Sequence, residues 1–163
     1  MKILNRSILA ILILTLFACV KGATYEKNHA FPNHSWKTNE EVTFEFDILD
    51  TTKNYQLFLM MRHTEAYPFS NIWLRVRTTL PNGQELPVRN TEIPLAETSG
   101  KWLGRGMNEI WEHKMPLTRN GAPMHFNQTG RYKMSFRQIM RQNPLPEVMS
   151  IGLHVERQQA DLN

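Results

Sequence analysis

The chain has 163 residues, 41% of them hydrophobic and 21% charged, with one cysteine and a net charge of +4 at pH 7. That length supports a single core burying roughly 68–70% of the unfolded surface, so one domain is expected, and a lone cysteine excludes an intramolecular disulfide framework. The arginines stand mostly one by one, without the single-face clustering that a nucleic-acid footprint needs, so no nucleic-acid partner is expected.

The first element is a leader. Lys2 and Arg6 form a basic head, and Ile8 to Phe17 is an almost unbroken apolar run. The run is too short to span a bilayer, which takes roughly 20 apolar residues, and has the layout of a secretory h-region. It closes on Leu16-Phe17-Ala18-Cys19, which resembles a bacterial lipobox: an aliphatic residue three places before the cysteine and a small one immediately before it. Residues 1–18 are therefore expected to be a lipoprotein signal peptide and Cys19 the lipidation site, which also removes the liability of a free thiol on an exported protein. Each buried methylene contributes roughly 0.8 kcal/mol, so the two or three acyl chains of a bacterial lipoprotein hold stably where one does not. Val20 follows in place of the aspartate that retains many lipoproteins in an inner membrane. The expected location is the outer membrane, facing the periplasm.

Residues 19–35, with Gly, Asn, His and Pro and little periodicity, are expected to be a lipid-anchored tether. From residue 36 the pattern has period two. Val42, Phe44, Phe46 and Ile48 alternate with Thr43, Glu45 and Asp47, and Tyr55, Leu57, Leu59 and Met61 repeat the pattern. Ile72, Leu74 and Val76 alternate with Trp73, Arg75 and Arg77 before a Pro81-Asn82-Gly83 turn. Ile93 with Leu95, Ile110 to Leu117, Tyr132-x-Met134-x-Phe136, and Met149-x-Ile151-x-Leu153-x-Val155 complete the strand-like segments. Seven or eight short strands without a βαβ rhythm indicate an all-β, antiparallel β-sandwich over residues 36–157, followed by a polar tail at 158–163. A jelly-roll-like topology is expected, with long connections such as Gly83 to Ile93 crossing between sheets.

Little in the chain carries chemistry. The six histidines are dispersed, none at a metal-ligand spacing, and neither a nucleophile elbow nor a phosphate-binding loop is present. No enzyme activity, metal or cofactor is expected. Glu40, Glu41, Glu45, Asp47 and Asp50 fit a calcium site or a glycosidase pair, but read better as the solvated face of a strand and the turn after it. Asp50-Thr51-Thr52 resembles an O-glycan acceptor motif of Bacteroidota, with Thr51 as the acceptor, and equally suits a turn capped by hydroxyls. The densest unusual stretch is Arg62 to Leu74. There Tyr67-Pro68-Phe69 places two aromatics around a rigid residue, and Trp73 falls on the outward register of its strand. Tyr67, Phe69, Trp73 and Trp102 are the candidate partner-contact residues. The alternative is that Tyr67 and Phe69 plug one end of the sandwich.

Taken together, these residues resemble GldH, the gliding-motility lipoprotein family of Bacteroidota. The resemblance runs through the lipobox, the Tyr25…Phe31…Trp36 lead-in, Phe44 to Ile48, Arg62-His63, and Pro81-Asn82-Gly83. It continues in Gly100-Lys101-Trp102-Leu103-Gly104 and Gly130-Arg131-Tyr132, and its specific part is Tyr67-Pro68-Phe69-Ser70-Asn71-Ile72-Trp73-Leu74. It implies a non-enzymatic accessory of the gliding machinery and its type IX secretion system. Such a protein acts with sibling lipoproteins such as those of the GldJ and GldK kinds, and supports assembly or stability of the complex. The alternative from another class is a carbohydrate- or peptidoglycan-binding outer-membrane lipoprotein, since sandwiches with exposed aromatics often bind glycans.

Overall fold

The structure, a computed structural model, describes residues 25–158. The signal peptide, Cys19 and the tail beyond residue 158 lie outside the described residues.

Two antiparallel sheets face each other. One holds β1 (Tyr25–Ala30), β4 (Asn54–Thr64), β7 (Arg105–Met107), β8 (Ile110–Pro116), β9 (Met124–His125) and β12 (Val148–Arg157), in the order β1-β12-β4-β8-β7 with β9 also paired to β4. The other holds β3 (Val42–Ile48), β5 (Asn71–Thr79), β6 (Arg89–Pro94) and β10 (Gly130–Gln138), in the order β3-β10-β5-β6. A two-stranded piece pairs β2 (Ser35–Trp36) with β11 (Leu145–Pro146). The strands of six or more residues, counted along the chain, order as first-eighth-third-sixth in one sheet and second-seventh-fourth-fifth in the other. That is the jelly roll, two nested Greek keys.

The period-two pattern explains which faces meet. Val42, Phe44, Phe46 and Ile48 of β3 are buried and the residues between them exposed, and the same parity buries Tyr132, Met134 and Phe136 of β10 and Ile72, Leu74 and Val76 of β5. From the facing sheet come Tyr55, Leu57, Leu59 and Met61 of β4 and Ile151, Leu153 and Val155 of β12. Phe46, Tyr55, Phe126 and Tyr132 meet as edge-on and stacked rings at centroid distances from 4.8 to 6.1 Å, separations at which aromatic pairs add to simple area burial.

Two expectations about connections are corrected. The stretch from Tyr25 to Ser35, expected as tether, is built into the sandwich. β1 pairs with β12 from Tyr25↔Val155 to Ala30↔Ser150, the Phe31 N–H donates to the Met149 carbonyl at 2.9 Å, and Phe31 is buried against Trp36. An edge strand needs its backbone paired and only one face covered, so Glu26-Lys27-Asn28 can be polar and still be strand. Gly152 makes this pairing possible, because a Cβ there would run into the Asn28 side chain and lie 2.8 Å from the Lys27 carbonyl. On the same outer face His154 Nδ1 meets Glu26 Oε2 at 2.7 Å, tying β1 to its neighbour again. The second correction concerns Gly83 to Ile93. It does not cross between sheets but joins β5 to β6, adjacent strands of one sheet, and its start folds back through Leu80 N–H to Gln84 O and Leu86 N–H to Thr78 O.

Candidate interaction surface

The candidate aromatics divide between the surface and the interior. Trp73 is 39% exposed on the outer face of β5, as its register requires. Its backbone N–H donates to Met140 Sδ at 3.2 Å, which holds the methionine beside the ring. Phe69, Asn71, Trp73, Ile139, Met140 and Arg141 line a shallow groove of about 470 Å³. Phe69 is half-buried there, its ring edge-on to Tyr67 at 5.8 Å.

Tyr67, expected as a contact residue, is instead buried, 4% exposed. Its hydroxyl donates to the Asn71 carbonyl at 3.0 Å, and burial pushes the phenol well above its ordinary pKa. Its ring points inward as an end plug beneath the groove. Trp102 is half-buried and lies 6.4 Å from Tyr67. It reaches this place from a small hairpin in which Ala96 pairs with Trp102 and Gly100 takes a left-handed turn at φ 87°.

Below Tyr67 and Trp102 lies a pair that the spacing of the histidines does not suggest. His63 of β4 and His113 of β8 are 0% and 2% exposed, and their Nε2 atoms are 2.9 Å apart. The Thr64 carbonyl can only accept, so the His63 Nδ1 at 2.7 Å carries the proton, and His63 Nε2 accepts from His113 Nε2–H. Gly104 closes over the pair, with no room for a Cβ against the His113 ring. Trp102 stacks obliquely on His63 at 4.5 Å and Tyr67 lies 5.0 Å away. Burial lowers both imidazoles, and the neighbouring His63 takes His113 down further, to about 4. Both are therefore neutral at pH 7, and the pair acts as a polar pin between two strands under an aromatic lid. The signal for it in the sequence is parity alone: His63 continues the inward series Tyr55, Leu57, Leu59, Met61, and His113 shares the inward face of its strand with Trp111 and Met115.

The remaining candidates sit elsewhere. Thr51 is half-buried in the turn between β3 and β4, where Asp50 Oδ1 accepts from the Thr52 N–H at 2.9 Å and the Thr52 hydroxyl at 2.6 Å. Those bonds hold the Asp50 carboxyl below its ordinary pKa and account for Asp and Thr in the turn. Glu45 and Asp47 pair with Lys133 at 2.8 Å and Arg131 at 3.1 Å on the exposed face. Among the described residues no three histidine, cysteine or acidic side chains are grouped to hold a metal ion.

The class that the fold defines is a jelly-roll β-sandwich, with a shallow aromatic groove on its surface and a neutral histidine pair within. Residues 23–155 match the family described as "GldH lipoprotein", and the chain belongs to that family. It is 29% identical over 152 residues to the gliding motility lipoprotein GldH homolog of Christiangramia forsetii, covering 89% of this chain and 90% of that one. It is likewise 29% identical over 164 residues to the gliding motility lipoprotein GldH of Flavobacterium johnsoniae, covering 96% and 99%. Solved structures align more loosely. A family GH115 4-O-methyl-α-glucuronidase specific for decorated arabinogalactans aligns with TM-score 0.44 and 14% identity, over 86% of this chain but only 18% of that one, a likeness too distant to bear on function.

Proposed function

We propose that this chain is a lipid-anchored, non-enzymatic accessory of the gliding machinery and its associated type IX secretion system. On this reading it is held by Cys19 in the outer membrane, faces the periplasm, and supports assembly or stability of the complex. The observation that carries the reading is the family match across residues 23–155, joined to relatives that are themselves gliding-motility lipoproteins over nearly their full length. The physical logic is that of confinement. An anchor restricts the domain to a plane and raises its effective concentration near other anchored proteins, so a modest surface suffices for docking.

Two readouts test it. With the intact gene, the protein incorporates labelled palmitate and fractionates with the outer membrane, whereas Cys19→Ala is unlabelled and leaves the membrane. In a strain without the gene, the steady-state levels of the sibling lipoproteins fall severalfold. Unchanged labelling in Cys19→Ala contradicts the anchor, and unchanged sibling levels contradict the supporting role.

A further inference from the structure

Part of the outer face of the four-stranded sheet is an acid–base ladder. Arg131 pairs with Asp47 at 3.1 Å, Lys133 with Glu45 at 2.8 Å, and Arg77 lies 3.8 Å from Glu41. The ladder breaks at one place. Arg137 of β10 stands directly across from Arg75 of β5, and like charges facing each other across strands oppose pairing. Among the described residues neither has a carboxylate within ion-pair distance. Arg75 Nε donates to Asn90 Oδ1 at 3.3 Å. The Arg137 Nε, like that of Arg77, is shut away from solvent with no hydrogen-bond partner, a costly state for a charged donor. Lys37 adds a further cation to the hollow of about 520 Å³ beside Arg137.

This cationic break adjoins the aromatic groove. The Ile139 N–H bonds the Trp73 carbonyl at 2.9 Å, so Trp73 and Ile139 are the next step along from Arg75 and Arg137. Arg141 stands on the groove's other rim. The acid across from Trp73, Glu92, accepts from Asn71 Nδ2 at 2.6 Å.

We propose that this surface docks an acidic segment of a protein partner, with an apolar side chain seated among Phe69, Trp73 and Met140 and a carboxylate bridging Arg75 and Arg137. A carboxylate there converts a repulsive pair into a charge-assisted fork. An aromatic anchor beside arginines is also the composition in which binding energy concentrates. A neutral glycan leaves both guanidiniums uncompensated, and a second copy brings the same excess of cations to this place. The inference rests on the reading that the chain works through protein partners, but not on which machinery supplies them.

The test is site-specific photo-cross-linking in living cells, using the full lipid-anchored chain. A benzophenone-bearing phenylalanine replaces Trp73, aromatic for aromatic, with the same label in place of Lys133 as the control on the far part of the face. The expected product at position 73 is a peptide of another protein rich in aspartate and glutamate. Its yield falls about tenfold or more in Arg75→Glu/Arg137→Glu, as expected for reversal of a desolvated charge pair, and is retained in Arg75→Lys/Arg137→Lys. If the double reversal fails to accumulate, Arg75→Glu alone carries the comparison. Adducts of glycan, lipid, this chain itself or a basic segment overturn the proposal, as does the absence of a cross-link or a yield indifferent to charge reversal. An acidic segment from a protein outside the gliding apparatus upholds the surface while contradicting the machinery reading.

Discussion

Replacing Trp36 by alanine is expected to destabilise the domain by about 3–5 kcal/mol, the range for deleting a fully buried large aromatic. Trp36 is 0% exposed and stacks on Phe31 with centroids 4.8 Å apart. Its indole N–H donates to the Glu40 carbonyl at 2.9 Å, and its own carbonyl accepts from Gln138 Nε2 at 3.3 Å. It is also the residue through which β2 pairs with Leu145 of β11. Alanine keeps the backbone links to Gln138 and β11 but loses the stacking on Phe31, the indole hydrogen bond and the buried volume of the ring. A domain of this size has only about 5–15 kcal/mol in all, so the loss is a large share of its stability. Urea unfolding followed by fluorescence measures it. A loss under about 1 kcal/mol contradicts the central packing role given to Trp36.

Acid is expected to weaken the fold through the histidine pair. His113 is held down to about 4 in the folded chain, by burial first and by His63 second, while its unfolded value is about 6.5. The unfolded chain therefore takes up the proton first. The stability that neutral His113 contributes is complete above about pH 6.5 and is lost as pH falls towards 4, with no further loss from this residue below that. Between pH 7 and pH 5 the cost is about 2 kcal/mol at 1.36 kcal/mol per pKa unit, and the lowered His63 acts in the same direction. Denaturant titrations at the two pH values read it directly. His113→Gln removes the titrating group and is expected to abolish most of the difference. A wild-type stability that is flat over this range, or a slope unchanged in His113→Gln, contradicts the neutral pin.

The long strands were legible because each buries one face, and that writes an alternating pattern into the sequence. β3, β4, β5, β10 and β12 all carry it, and the outward place of Trp73 follows from the same parity. β1 was hidden because its Glu-Lys-Asn run is polar on an edge where only the backbone pairs and one side is covered. β2, β9 and β11 are two residues each and β7 three, too short to repeat a pattern. The histidine pair was hidden for another reason. His63 and His113 are 50 residues apart, and only the β4–β8 register, with His63 opposite Trp111 and Met61 opposite His113, brings them together. The inward turn of Tyr67 and the cross-strand clash of Arg75 with Arg137 likewise depend on register and loop path. Local composition marks such residues as unusual without telling which way they point.

The central claim is that this member of the GldH lipoprotein family serves the gliding and secretion apparatus. The measurement that tests it most directly is an in-frame deletion of the gene, scored for colony spreading and for the secreted-protein profile, with the intact gene returned in trans. The account predicts loss of spreading, loss of secreted proteins, or both, restored by the intact gene. Normal spreading together with an unaltered secreted profile would contradict it.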